Sequence, residues 1–188
     1  RFEPTLSVVP EPVVVPIDFE APLISYSFIN FEGGAAGIVA NPDVSVGNAS
    51  TQVAEFQKFA GATFAGSVLL LDEAVDFSAG EVFTMKVWSS REASLTFKLE
   101  GLNIERVIPL AGNGWETVQA DFTGATAGTP VEGLTFIFDN GTVGGAADHA
   151  ANWTFYVDDI ALQGEPVDPN LVLSADFEGS DPAAPTIG

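Results

Sequence analysis

Apolar and polar residues alternate with period two over several short windows, the spacing of half-buried strands. Residues 81–89 (EVFTMKVWS) place Phe83, Met85 and Val87 on one face and Thr84, Lys86 and Trp88 on the other. Residues 93–100 (ASLTFKLE) turn Leu95, Phe97 and Leu99 inward and Thr96, Lys98 and Glu100 outward. Residues 134–139 (LTFIFD) are apolar almost throughout, as a central strand would be, with Leu134, Phe136 and Phe138 in and Thr135 and Asp139 out. Residues 152–162 (NWTFYVDDIAL) predict a long aromatic strand, and further strands are expected at 52–59, 67–71 and 117–122. Gly33-Gly34, Asn41-Pro42, Gly80, Gly112-Asn113-Gly114 and Gly144-Gly145 punctuate these runs as turns. No long amphipathic helical window is present, so the pattern implies an all-β sandwich or barrel.

The ends of the chain differ from this body. Residues 1–16 are rich in Pro and Val, which favours extended backbone and removes ladder donors. They are expected to form a semi-rigid linker whose end packs as an edge strand. The β-sandwich body is expected over 17–163 and a second linker over 164–172. Asp18-Phe19-Glu20 recurs as Asp176-Phe177-Glu178 just beyond that linker. Residues 173–188 therefore read as the start of a second copy of the same module, a tandem repeat within a longer protein.

Composition narrows the function classes. A chain of 188 residues with 46% hydrophobic positions can bury a real core as one domain. It carries 26 acidic against 6 basic residues, a formal net charge of -20. Such a surface repels nucleic acid and anionic membranes. It serves solubility, or offers carboxylates to a hard cation such as calcium. There is no cysteine, which excludes disulfides, thiol nucleophiles and thiolate zinc sites. The single histidine, His149, leaves little room for a histidine metal centre or a Ser-His-Asp triad, and no apolar run is long enough to span a bilayer. A glycoside hydrolase needs two carboxylates about 5–10 Å apart, but no local motif singles out such a pair among so many acids. Phosphate loops, zinc spacings and nucleophile elbows are absent from the sequence. The reading is non-catalytic, although the parent protein is free to carry an enzyme domain.

The opening Asp18-Phe19-Glu20 with Phe31-Glu32-Gly33-Gly34, and the closing Phe155-Tyr156-Val157-Asp158-Asp159-Ile160-Ala161-Leu162, resemble the first and last strands of galactose-binding-like jelly rolls. These are found among carbohydrate-binding modules of secreted polysaccharide-degrading systems. Val39-Ala40-Asn41-Pro42, residues 83–89 and Phe138-Asp139-Asn140-Gly141-Thr142 are similar to modules repeated in marine bacterial surface and polysaccharide-utilisation proteins. The resemblance covers about residues 17–163. It implies a two-sheet antiparallel β-sandwich (jelly roll), an extracellular or cell-surface location, a polysaccharide partner and covalently linked neighbouring domains. It also implies a structural calcium tying the first strand to the last, with Glu20, Glu32 and Asp158 as ligands. If Ile160 and Leu162 point inward, alternation would bring Asp158 inward too, where a lone carboxylate needs a partner or a metal. The competing reading makes Asp158-Asp159 a solvated strand end.

If the strands at 81–89, 93–100 and 134–139 share one sheet, its outer face gathers Trp88, Lys86, Lys98, Glu100 and Asp139. Sugars stack their C–H faces on aromatic rings while their hydroxyls bond charged and amide groups, so this face is a candidate ligand site. Arg91, Asn140 and Trp153 extend the set, with Asp148, His149 and Asn152 on a loop rim. Cross-strand ion pairs would account for the same charges, and Trp115 is expected in the core. Two functions remain. One is a polysaccharide-binding module, with β-glucan such as laminarin the first expectation. The other is a calcium-stiffened structural or adhesin repeat with no glycan ligand of its own.

Overall fold

A computed structural model of the protein describes residues 10–145 and 152–163. The expected linker and repeat beyond residue 163, residues 1–9, and Asp148 and His149 lie outside the described residues. The described residues form ten strands: β1 (Phe28–Phe31), β2 (Gly34–Ala40), β3 (Gln52–Lys58), β4 (Gly66–Leu70), β5 (Val82–Ser89), β6 (Ala93–Leu99), β7 (Ile104–Leu110), β8 (Gly114–Asp121), β9 (Gly133–Phe138) and β10 (Thr154–Gln163). They pair antiparallel into two five-stranded sheets, ordered β1-β4-β9-β6-β7 and β2-β3-β10-β5-β8. This is the expected two-sheet sandwich.

Alternation explains which side chains meet between the sheets. Phe83, Met85 and Val87 of β5 and Leu95, Phe97 and Leu99 of β6 are all buried. Phe97 packs edge-on to Phe83 at 5.3 Å between ring centroids and against Phe136 at 5.2 Å, while Phe138 and Phe155 stack at 4.1 Å. Each ring so buried contributes about 1.5–3 kcal/mol of transfer free energy, so phenylalanines from both sheets supply much of the cohesion. All six residues of β9 are buried, as its continuous apolar run requires of a strand covered on both faces.

The chain changes sheets between β1 and β2 by a tight turn at Glu32 and Gly33, with φ of 52° and 102°. There the backbones of Gly34 and Gly66 approach so closely that a Cβ on Gly34 would lie 2.1 Å from the Gly66 carbonyl oxygen. Only glycine fits that crossing. The end of the proline-rich segment packs on the body, through an isolated bridge between Glu11 and Ile24 and not as an edge strand. Val13 is buried in the core and its amide donates to Asp72 at 2.7 Å. Ile17 bridges Ile160 through two 2.9 Å backbone bonds, joining the chain's opening to its last strand.

Candidate functional site: an aromatic row on one sheet face

The condition for a single ligand face fails. Lys86 and Trp88 lie on β5 in one sheet, whereas Lys98 lies on β6 in the other, so the two sets occupy opposite faces of the sandwich. Lys98 pairs with Glu100 at 3.2 Å, and Glu100 also accepts from the Thr135 hydroxyl. Beside them a cleft of about 460 Å³ is lined by Ile29, Val68 and Leu70, with Glu100 and Glu132 at its rim. Its lining holds no aromatic ring to stack on a sugar.

Arg91, Asp139 and Trp153 do come together, at one end of the sandwich. The Arg91 guanidinium lies 4.7 Å from the Trp153 ring centroid and donates to Asp139 at 2.6 Å, and the other Asp139 oxygen accepts from the Ser94 amide. Arg91 also donates to the Asn152 carbonyl. These contacts brace the β5–β6 turn against the start of β10, so Trp153 is covered by an internal partner. Asn140, next to Asp139, is exposed.

The other face brings aromatic rings into line. Reading across the strands at one register level, Gly37, Glu55, Tyr156, Trp88 and Trp115 are successive cross-strand partners. All three rings are half-buried and point away from the core. Trp115 is therefore not a core residue. It is the third strand's contribution to the row, and its alternation with buried Val118 and Ala120 is disguised by the glycine turn before it. Tyr156 is a row residue that no motif in the sequence marks; the signal for it is its place between Phe155 and Val157, both buried.

Each polar tip in the row is held. The Trp88 indole N–H donates to Asp43 Oδ2 at 3.0 Å and the Trp115 N–H to the Asp43 carbonyl at 2.9 Å. Tyr156 donates to Glu55. Burial foremost, then the Glu55 charge and this bond, push the phenol above its ordinary value. Trp88 and Tyr156 meet edge-to-face at 5.3 Å. Lys86 pairs with Asp159 at 2.8 Å on the same face.

Asp158 corrects a second expectation. It is fully buried, but it faces the Lys86 side of the sheet rather than the core. The register slips between Asp158 and Ala161, and Asp159 has φ of 49°, marking a bulge that inserts one residue. Ile160 and Leu162 can thus point inward while Asp158 does not. What buries Asp158 is the segment joining β2 to β3: Asn48, itself buried, donates to Asp158 Oδ2 at 2.7 Å, the Ser50 hydroxyl adds a second bond, and the Asp159 amide a third.

The calcium set does not assemble. Glu20 accepts from the Thr51 and Gln52 amides at 2.6 and 2.7 Å and from the Thr51 hydroxyl at 2.7 Å, bonds that hold its pKa below the ordinary value, the Gln52 amide foremost. It caps the start of β3. Glu32 lies beyond the other end of the β2–β3 ladder, which runs from Gly34↔Lys58 to Ala40↔Gln52, about 20 Å away at strand rise. The carboxylates of Glu20 and Asp158 face N–H and O–H donors, which a cation would have to displace. Among the described residues no group of three His, Cys, Asp or Glu side chains is placed to hold a metal ion. Glu20, Glu32 and Asp158 thus do not fit a shared calcium site.

Burial, as the largest cause, raises the Asp158 pKa above its ordinary 3.8, against the lowering bonds from Asn48 and Ser50. A carboxyl that holds its proton more tightly when folded favours folding at low pH, and that contribution is lost as pH rises through the raised value. Asp158→Asn cannot titrate. The stability of the protein relative to this variant is therefore expected to fall as pH rises above the ordinary carboxyl value of 3.8, read in urea titrations. A difference independent of pH would refute the buried, desolvated carboxyl.

No family model and no curated protein matches the chain. Solved structures do. An exo-β-agarase shares the fold over 80% of this chain and 24% of its own, with 11% identity and a TM-score of 0.54. A family 11 carbohydrate-binding module of a cellulosomal cellulase from Clostridium thermocellum covers 84% of this chain and 96% of its own, with 15% identity and a TM-score of 0.49. A family 29 carbohydrate-binding module covers 85% and 99%, with 10% identity and a TM-score of 0.48. At such identities the likeness is one of fold, and in fold the chain is the jelly-roll β-sandwich that its two ends resemble.

Proposed function

We propose that the chain is a non-catalytic polysaccharide-binding module of a secreted or cell-surface multidomain protein, holding its polymer on the outer face of the β2-β3-β10-β5-β8 sheet. The observation that carries this reading is the row Tyr156–Trp88–Trp115, whose polar tips are all fastened by the protein itself. Rings held in this way present their faces without further loss of rotamer freedom, which is how a preorganised site gains affinity. Lys86, Asp159 and Glu55 stand beside them for the hydroxyls of a sugar. The agarase, cellulase-module and family 29 likenesses agree with a glycan ligand, but fold alone does not assign one.

The same face supports binding over catalysis. Glu55 is bonded to Tyr156, Asp159 is paired with Lys86, and Asp158 is buried beneath the β2–β3 segment. A neutral β-glucan such as laminarin suits a chain of net charge -20, which repels anionic polymers at long range. Affinity electrophoresis through gels containing laminarin, alginate, agarose and xylan tests this. Retardation by laminarin, absent with alginate and lost in Tyr156→Ala, is the expected result. Free migration in all four gels would defeat the binding reading and favour a structural repeat.

A further inference from the structure

The segment 41–51 does not turn away into solvent between β2 and β3. Asn48 reaches Asp158 on β10, and Asp43 reaches Trp88 on β5 and Trp115 on β8, so the segment arches over three further strands of the sheet. It is braced from within. Asn41 donates to the Ser50 carbonyl at 2.9 Å and accepts from the Asp43 amide at 2.9 Å, while Asn48 accepts from the Ser50 amide at 3.1 Å. A continuous set of bonds thus runs from buried Asp158 through Asn48, Ser50 and Asn41 to Asp43, and from there to two indoles. Val53 points away from the core on this face, yet has 0% exposure, because it is covered.

We propose that Asp43 is the positioning residue of the glycan site, and that the 41–51 segment is its side wall, so that the polymer crosses the strands from β2 towards β8. This rests on the reading that the face binds glycan. The angle of an indole about its Cβ–Cγ bond is broad and weakly determined by its own torsion. A carboxylate accepting the Trp88 N–H selects one orientation, and the carbonyl of the same residue selects that of Trp115. The wall closes the path along the strands on the Val53 side. At its β2 end the floor is open, since a Cβ on Gly37 would meet nothing within 4 Å, whereas at β8 the segment itself rests on Trp115, a Cβ on Gly47 lying 3.0 Å from the Trp115 Cβ, so the track ends against the wall there. From Gly37 to Trp115 the row crosses five strands, about 19 Å at the usual spacing, a length for an oligosaccharide stretch of a polymer.

The test uses laminarin with the full chain carrying Asp43→Ala, Asp43→Asn, Trp88→Phe, and Asp43→Ala combined with Trp88→Phe. Asp43→Ala is expected to weaken binding about tenfold and to diminish the tryptophan bands in near-ultraviolet circular dichroism. Asp43→Asn, whose amide oxygen still accepts the indole N–H, should stay within about threefold of the parent and restore the bands. Trp88→Phe removes the donor, so Asp43→Ala should cost little more in that background. Gly37→Leu, built into open space, should leave the melting temperature unchanged and weaken long laminarin oligosaccharides more than short ones. Parent-like binding by Asp43→Ala, or a full further loss on top of Trp88→Phe, would overturn the positioning role while leaving the binding face intact. Equal effects of Gly37→Leu on long and short chains would overturn the direction of the track. Absence of laminarin binding by the parent protein would remove the binding face and this inference together.

Discussion

Lys58→Met is expected to lower the unfolding free energy by about 2–4 kcal/mol. Lys58 is 2% exposed, and its ammonium donates to the carbonyls of Thr63, Phe138 and Asp139 at 2.8, 2.7 and 2.9 Å. Three donors meet three acceptors, so one side chain joins the end of β3 to the end of β9 and to the turn before β4. Two terms oppose one another. Burial disfavours the charge and, as the largest cause, lowers the lysine pKa, with Asp139 pulling it back up. Methionine relieves that cost and keeps the length, but it leaves backbone carbonyls without their charged donor, and each buried unsatisfied acceptor costs about 1–3 kcal/mol. Two of the three, Thr63 and Asp139, also accept from the Gly141 and Thr142 amides, which keeps the estimate below a full threefold loss. Denaturant unfolding with an unchanged m-value would measure it. A loss under about 0.5 kcal/mol, the range of ordinary surface substitutions, would show that the ammonium is not a structural tie.

The second large effect is on binding. Trp88→Ala is expected to weaken laminarin affinity by about 2–3 kcal/mol, roughly 30- to 150-fold. Trp88 is the central ring of the row, edge-to-face with Tyr156 on one side and cross-strand to Trp115 on the other. Its removal also leaves Asp43 without its indole donor, so the loss includes disorder of the wall. Trp153→Ala is the control. That ring is capped by Arg91 at the end of the sandwich, so its truncation should reduce the melting temperature with affinity kept within about twofold. Isothermal titration of both variants separates the alternatives. If Trp153→Ala costs as much affinity as Trp88→Ala, the site lies at the sandwich end and not on the sheet face.

The strands with clean alternation are legible in the sequence. Residues 81–89, 93–100 and 134–139 became β5, β6 and β9 with the expected side chains inward, because burying one face of a sheet requires period two whatever the partner. Three strands were missed. Gly34–Ala40 is built of small residues that bury little, and Phe28–Phe31 is short and half exposed. Ile104–Leu110 carries Arg106 on its core side, where the guanidinium sits 4.8 Å from the Phe122 ring. Small residues in the first, short length in the second and a charged core-side residue in the third hid strands that tertiary pairing then set.

The candidate site was half legible. Lys86 and Trp88 were placed on one outer face by alternation alone, and they are on it. Their expected companions were not, because period two reports which side of its own strand a residue takes and says nothing of which sheet that strand joins. Asn48 offered only the pattern Asn-x-Ser in the sequence, and its role as the anchor on Asp158 arises from a contact spanning 110 positions.

Composition and periodicity by themselves determined an all-β fold, sandwich or barrel, and an acidic surface, since these follow from local spacing and from summed charge, while the antiparallel two-sheet form was what the resemblance of the two ends implied. Only the tertiary structure decided that β5 lies between β10 and β8, which aligns Tyr156, Trp88 and Trp115. It likewise decided, through one inserted residue at Asp159, that Asp158 faces the β2–β3 segment and not the core. Strand order and bulge phase are set by the packing of distant segments against one another, and no window of neighbouring residues contains them.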